Sequence, residues 1–198
     1  SQLRENMNLT PDRGEMLRAL AGLGFTPSQS EGALDGSMPV MGVFELEHRR
    51  NGKLIGRDIA SNIVTTEGLN HILSTVVAGG SAVSPWYIAL FEGNYTPVAG
   101  LTAATFTASA TECTAYDEAA RVAYVEGTPS GGVIDNSASR AVFTMNATKT
   151  IYGGALLSVS TKSSTSGTLL AAARFSSSRA VVDDDELSVR YSLTLTSS

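Results

Sequence analysis

The sequence predicts a mostly β protein: an antiparallel β-sandwich or jelly-roll body with one short helix, preceded by an N-terminal arm holding another short helix. Three observations predict it. Beyond Met41, short segments alternate apolar and polar residues with a period of two. Turns rich in Gly, Ser and Asn divide these segments. Hydrophobic residues make up 42% of the 198 and charged residues only 17%, enough for a core but sparse for solvated helix surface.

The arm is residues 1–40 and the body 41–198. In the arm, Leu9-Thr10-Pro11-Asp12 reads as a helix start. Thr10 caps, Pro11 suits the first turn, and Asp12 favours the positive helix end. Met16, Leu17, Leu20 and Leu23 then form one apolar stripe, which Gly22 and Gly24 terminate. From Thr26 to Pro39 the chain is rich in Ser, Gly and Pro and reads as a linker. A helix this short cannot make its own core, so the stripe is expected to bind a partner.

In the body, Val43 to His48 alternates as a strand, with Phe44, Leu46 and His48 on one face. Asn51-Gly52 marks a hairpin and Lys53 to Gly56 its return strand. Thr65 or Thr66 caps a helix to about Val77, whose apolar face is Leu69, Ile72, Leu73 and Val76. Trp86 to Phe91 is a continuous apolar run, expected as a central strand. The predicted core therefore includes Leu69, Ile72, Leu73, Trp86, Ile88 and Leu90, with Trp86 largely buried against the helix.

Residues 97–118 are rich in Ala and Thr without a period, and predict a partly ordered excursion. Further strands are expected at Arg121–Glu126, Ala141–Asn146, Thr150–Val159, Leu169–Phe175 and Leu187–Leu195. Gly153-Gly154 suggests a bulge or bend. Asp183 to Glu186 reads as a solvated acidic turn, without the ligand spacing of an EF-hand. The last strand has the cleanest alternation, its odd positions facing inward.

Chemistry-bearing motifs are sparse. His48 and His71 are the only histidines, and no HxH or HExxH spacing joins either to a metal or triad. Structural roles are expected for both. Asp117 and Glu118 are adjacent, so they point apart rather than across a cleft. Cys113 is the single cysteine, which rules out an internal disulfide and reads as a partly buried free thiol. The paired glycines match no phosphate-binding loop. No catalytic residue, metal or other cofactor is expected. A net charge of -5 and pI near 5.0 disfavour nucleic acid as a partner. No apolar signal segment or membrane-length run appears, so a soluble protein made in a cytoplasm is expected.

Several short blocks in order carry a resemblance. They are Asn62-Ile63-Val64-Thr65-Thr66-Glu67-Gly68-Leu69-Asn70, Trp86 to Phe91, Cys113-Thr114-Ala115-Tyr116 with Arg121, Asn136 to Ser139 with Ala141 to Thr144, and Gly167-Thr168-Leu169. Over residues 42–198 the chain resembles capsid cement (head decoration) proteins of tailed bacteriophages. The resemblance implies a β-sandwich seated on the outer surface of a phage head, without catalysis. Its partners would be the major capsid protein and further copies of this chain, as a dimer or trimer. Its location would be the virion surface, after synthesis in the bacterial cytoplasm. A receptor- or glycan-binding fibre module and a tail component are the alternatives. A fibre needs a trimeric stalk, and no heptad or collagen-like stretch supplies one.

Overall fold

In the computed structural model, residues 40–196 are described. The arm residues Met16, Leu17, Leu20 and Leu23 and the linker that follows lie outside them.

Thirteen elements follow one another: β1 (Val40–Arg50), β2 (Lys53–Ser61), β3 (Ile63–Val64), α1 (Thr66–Val77), β4 (Trp86–Phe91), α2 (Ala103–Phe106), β5 (Glu112–Cys113), β6 (Val122–Tyr124), β7 (Val133–Asp135), β8 (Ala141–Thr144), β9 (Lys149–Leu157), β10 (Leu169–Val181) and β11 (Glu186–Leu195). They build two antiparallel sheets. One runs β2-β1-β11, with β7 and β8 pairing different stretches of the far edge of β11. The other runs β3-β10-β9-β4, with β5 and β6 sharing the far edge of β4.

The β1–β2 hairpin turns on Asn51 and Gly52, at φ 49 and 71. Two consecutive left-handed residues make the tight turn whose twist matches its strands. From there β1 pairs with β11 along almost its whole length, from Val40 opposite Leu195 to Arg49 opposite Glu186. Alternation places Phe44, Leu46 and His48 inside, facing the buried Tyr191, Val189 and Leu187 across the ladder.

The main core lies between the sheets, where Phe44, Ile88, Leu90, Phe143, Ile151 and Val189 are buried. A second core covers the opposite face of the second sheet. There Ala89, Phe91, Ala155 and Leu157 meet Leu101, Ala103, Phe106 and Ala110. Strands β4 and β9 are thus covered on both faces, which is why they read as continuous apolar runs.

This second core corrects the expectation for residues 97–118. They are not a loose excursion: α2 and the wide turn Thr107–Thr111 form a lid on the sheet. Small alanines let the backbone approach closely, but their weak hydrophobic contrast hides the period. The body accordingly holds two short helices, not one.

The glycine pair in β9 is corrected on one side only, the side that faces β4. Gly153 and Gly154 pair in regular register with Phe91 and Leu90 of β4. A Cβ on Gly153 would lie 2.1 Å from the Phe91 ring and 2.2 Å from the Ala173 carbonyl oxygen. Close packing requires the glycine there. Besides a shift between Leu169 and Ala171, the ladder to β10 changes register next to Gly153, where the extra residues lie in β10 between Arg174 and Arg179. Asp58 of β2 holds them, accepting hydrogen bonds from the Ser176 N–H (3.0 Å), the Ser176 hydroxyl (2.9 Å) and the Ser177 N–H (3.1 Å).

Cys113 is fully buried, and burial pushes its thiol above the ordinary value. Thiolate is the reactive form. We expect a thiol-specific disulfide reagent to leave Cys113 unmodified in native buffer and to react promptly once denaturant is added. Rapid modification of the folded protein would contradict this placement.

Candidate interaction surface

Helix α1 is pinned at one end. Thr65 is its N-cap: its hydroxyl oxygen accepts the Gly68 N–H at 2.9 Å and donates to the Leu169 carbonyl. Glu67, in the first turn, accepts the Ala103 N–H at 2.9 Å and the Leu169 N–H at 2.7 Å. A first-turn carboxylate also suits the positive end of the helix. Gly68 rests against the β10 backbone, where a Cβ would come within 2.4 Å of the Leu170 carbonyl oxygen.

This seating decides which helix face is covered. Gly68, Ile72 and Thr75 turn toward the sandwich, one turn apart. Leu69 and Leu73 turn outward, with 37% and 59% of their surface exposed. The expectation that both belong to the core is therefore corrected. The most apolar stripe of the helix is not the one that packs, because the packed face begins at a glycine. Val76 and Val77, each 77% exposed, extend the apolar surface to the free end. Exposed apolar groups grouped on one face mark interaction sites far better than scattered ones do.

The remaining predicted core residues divide. Ile88 and Leu90 are fully buried. Ile72 and Trp86 are half-buried, packed against the edge of the main core. Trp86 is thus less enclosed than its sequence context suggests. Its ring stands edge-on to His71, with centroids 5.4 Å apart. A crevice of about 270 Å³ opens beside it between α1, the β4 end and the first sheet. Ile72, Val76, Trp86, Tyr124, Ile134 and Leu193 are among the residues that line it. Tyr124 and Tyr191 meet at its base, ring centroids 5.9 Å apart, and burial pushes both phenols well above their usual pKa.

Of the other titratable residues that the sequence singles out, His48, Asp185 and Glu118 bond within the fold. His48 Nε2 lies 2.8 Å from Asp185 Oδ2, both buried. Arg50 adds two hydrogen bonds to the same carboxylate at 2.7 Å. Asp185 is therefore not part of a solvated turn; it faces inward and ties the β10–β11 connection to the end of β1. Glu118 accepts the Thr144 N–H at 3.2 Å, while Asp117 is exposed. Among the described residues, no three His, Cys, Asp or Glu side chains cluster closely enough to hold a metal ion. No helix among them is long and apolar enough to cross a membrane.

Besides Asp58, sequence reading missed two further buried polar centres. One is Asp185, whose acidic run masks a single inward carboxylate. The other is the ion pair of Glu112 and Arg121, whose side chains are fully buried. Arg121 enters the sequence reading as the start of a strand and as part of a motif block, and nothing in the local pattern marks Glu112 as its partner.

No protein-family model matches the chain, and a search of curated proteins finds no relative.

Proposed function

We propose that this chain is a structural virion protein that binds the outer surface of a tailed-phage capsid and stabilises it by bridging major capsid protein subunits. The observation that carries this reading is the apolar α1 surface, anchored rigidly at one end and continuous with the Trp86 crevice. A rigid, preformed apolar patch binds with little ordering cost. A protein repeated over a shell gains from such a surface, because many modest contacts add in avidity. The ordered motif blocks over residues 42–198 supply the capsid context. Further copies of the chain are the second partner proposed.

The test uses heads lacking this protein. Leu73→Gln with Val77→Gln removes apolar area without adding charge. Both positions are exposed, so stability should stay within about 0.5 kcal/mol of wild type. Co-sedimentation with heads should fall, as should the heat resistance of the treated heads. Deleting residues 1–36 should leave the body folded and also lower occupancy. Undiminished head binding by the glutamine variant would remove the basis of the proposal. Cryo-EM density for the protein on the tail, not the shell, would favour the tail reading instead.

A further inference from the structure

We infer that the Trp86 crevice is an anchor pocket for a large apolar side chain that is flanked by lysine or arginine on a partner protein. The inference rests on the reading of the α1 face as a protein-docking surface, and names what that surface takes.

Size comes first. Dry apolar cavities of roughly 150 Å³ admit a benzene ring. At about 270 Å³, this crevice has room for a larger ring or a branched chain. Its base is built from Tyr124, Tyr191 and Leu156, all buried, so the depth is fixed by the sandwich. Aromatic and aliphatic walls of this kind are typical of pockets in which interface anchors are desolvated.

Charge comes second. Glu126 lies at the mouth and is exposed, two residues beyond Tyr124. Thr75 and Val76, from the last turn of α1, line the crevice as well. That turn holds no basic residue, so no side-chain cation offsets the negative end of the helix dipole there. Neither Lys nor Arg lines the crevice; besides Glu126 and the two tyrosines, its titratable lining residue is His71, whose ring stands against Trp86. Glu126 is thus the one carboxylate beside an apolar pit, and a cation beside the inserted side chain would meet it close to the helix end.

Trp86 is the only tryptophan and forms part of the wall, so its emission reports occupancy. The experiment titrates isolated full-length protein with blocked tripeptides: Lys-Phe-Lys, Glu-Phe-Glu and Lys-Ala-Lys. We expect a saturable change in Trp86 emission with Lys-Phe-Lys. Affinity for Glu-Phe-Glu should be roughly fivefold weaker, the scale of exposed charge pairs. Lys-Ala-Lys should give no saturable response. Glu126→Lys, a change at an exposed position, should reverse the preference between the two Phe peptides while leaving the circular dichroism spectrum unchanged. A lack of saturation with Lys-Phe-Lys overturns the inference. So does equal binding of the Glu-flanked peptide, or binding of Lys-Ala-Lys as tight as that of Lys-Phe-Lys. No heads enter this titration. If the peptides fail but the Leu73 and Val77 substitutions still abolish head binding, the docking surface stands and only its anchor pocket is wrong.

Discussion

Replacing Arg121 with methionine is expected to lower the unfolding free energy by about 3–5 kcal/mol, the usual consequence of stranding one member of a buried ion pair. Arg121 Nε and one terminal nitrogen donate to the two Glu112 carboxylate oxygens at 2.8 and 2.7 Å. The same guanidinium donates to the Val159 and Ser164 carbonyls at 3.0 and 3.1 Å. Glu112 in turn accepts the Ser163 N–H at 3.1 Å and the Thr107 hydroxyl at 3.2 Å. One ion pair thus ties together the lid of the second core, strand β5 and the loop after β9. Methionine keeps much of the volume but leaves the carboxylate without its cation. Replacing Glu112 with leucine at the same time should recover only part of the loss, because the two carbonyls and the Ser163 N–H would still lack partners. Denaturant unfolding of the two single variants and the double variant measures the coupling. An R121M variant within 1 kcal/mol of wild type would show that the pair contributes little.

Asp185→Asn should produce the second largest loss, about 2–3 kcal/mol near neutral pH, as expected for hydrogen bonds to a buried charged group. The Arg50 guanidinium holds the Asp185 carboxyl far below the usual carboxylate range, with the Val182 N–H and His48 adding to the effect. The sign of the pH dependence follows. An unfolded aspartate titrates near 3.9, and the folded group binds its proton only at lower pH. Its stabilisation is complete above about pH 4 and fades as pH falls through the folded value. Wild type should therefore lose stability between about pH 4 and 2 more steeply than the asparagine variant, and the two should converge in acid. Parallel acid limbs would show that Asp185 is not the titrating group.

Local patterns announced what local physics builds. Asn51-Gly52 identifies its hairpin because only residues tolerant of positive φ fit that turn. Leu187 to Tyr191 alternates because one face of β11 is buried. Thr65 and Glu67 mark the start of α1. The misread parts depend on what lies across the fold. The outward turn of Leu69 and Leu73 is set by Gly68 meeting Leu170, a hundred residues away in sequence. The burial of Asp185 depends on His48 and Arg50. The lid at residues 103–111 is apolar only in relation to the sheet beneath it. Of the candidate surface, the helix and Trp86 were legible, but not which helix face stays open.

The pairing of β1 with β11 joins strands from opposite ends of the described residues. During synthesis β1 can zip to β2 as soon as the hairpin forms, yet its other edge has no mate until Leu195 emerges. Closing so long a loop is slow compared with local pairing. Throughout that interval the nascent chain presents an unpaired strand edge, the form from which intermolecular sheets grow. For this protein, slower arrival of β11 is expected to lengthen the exposure of each new chain to aggregation.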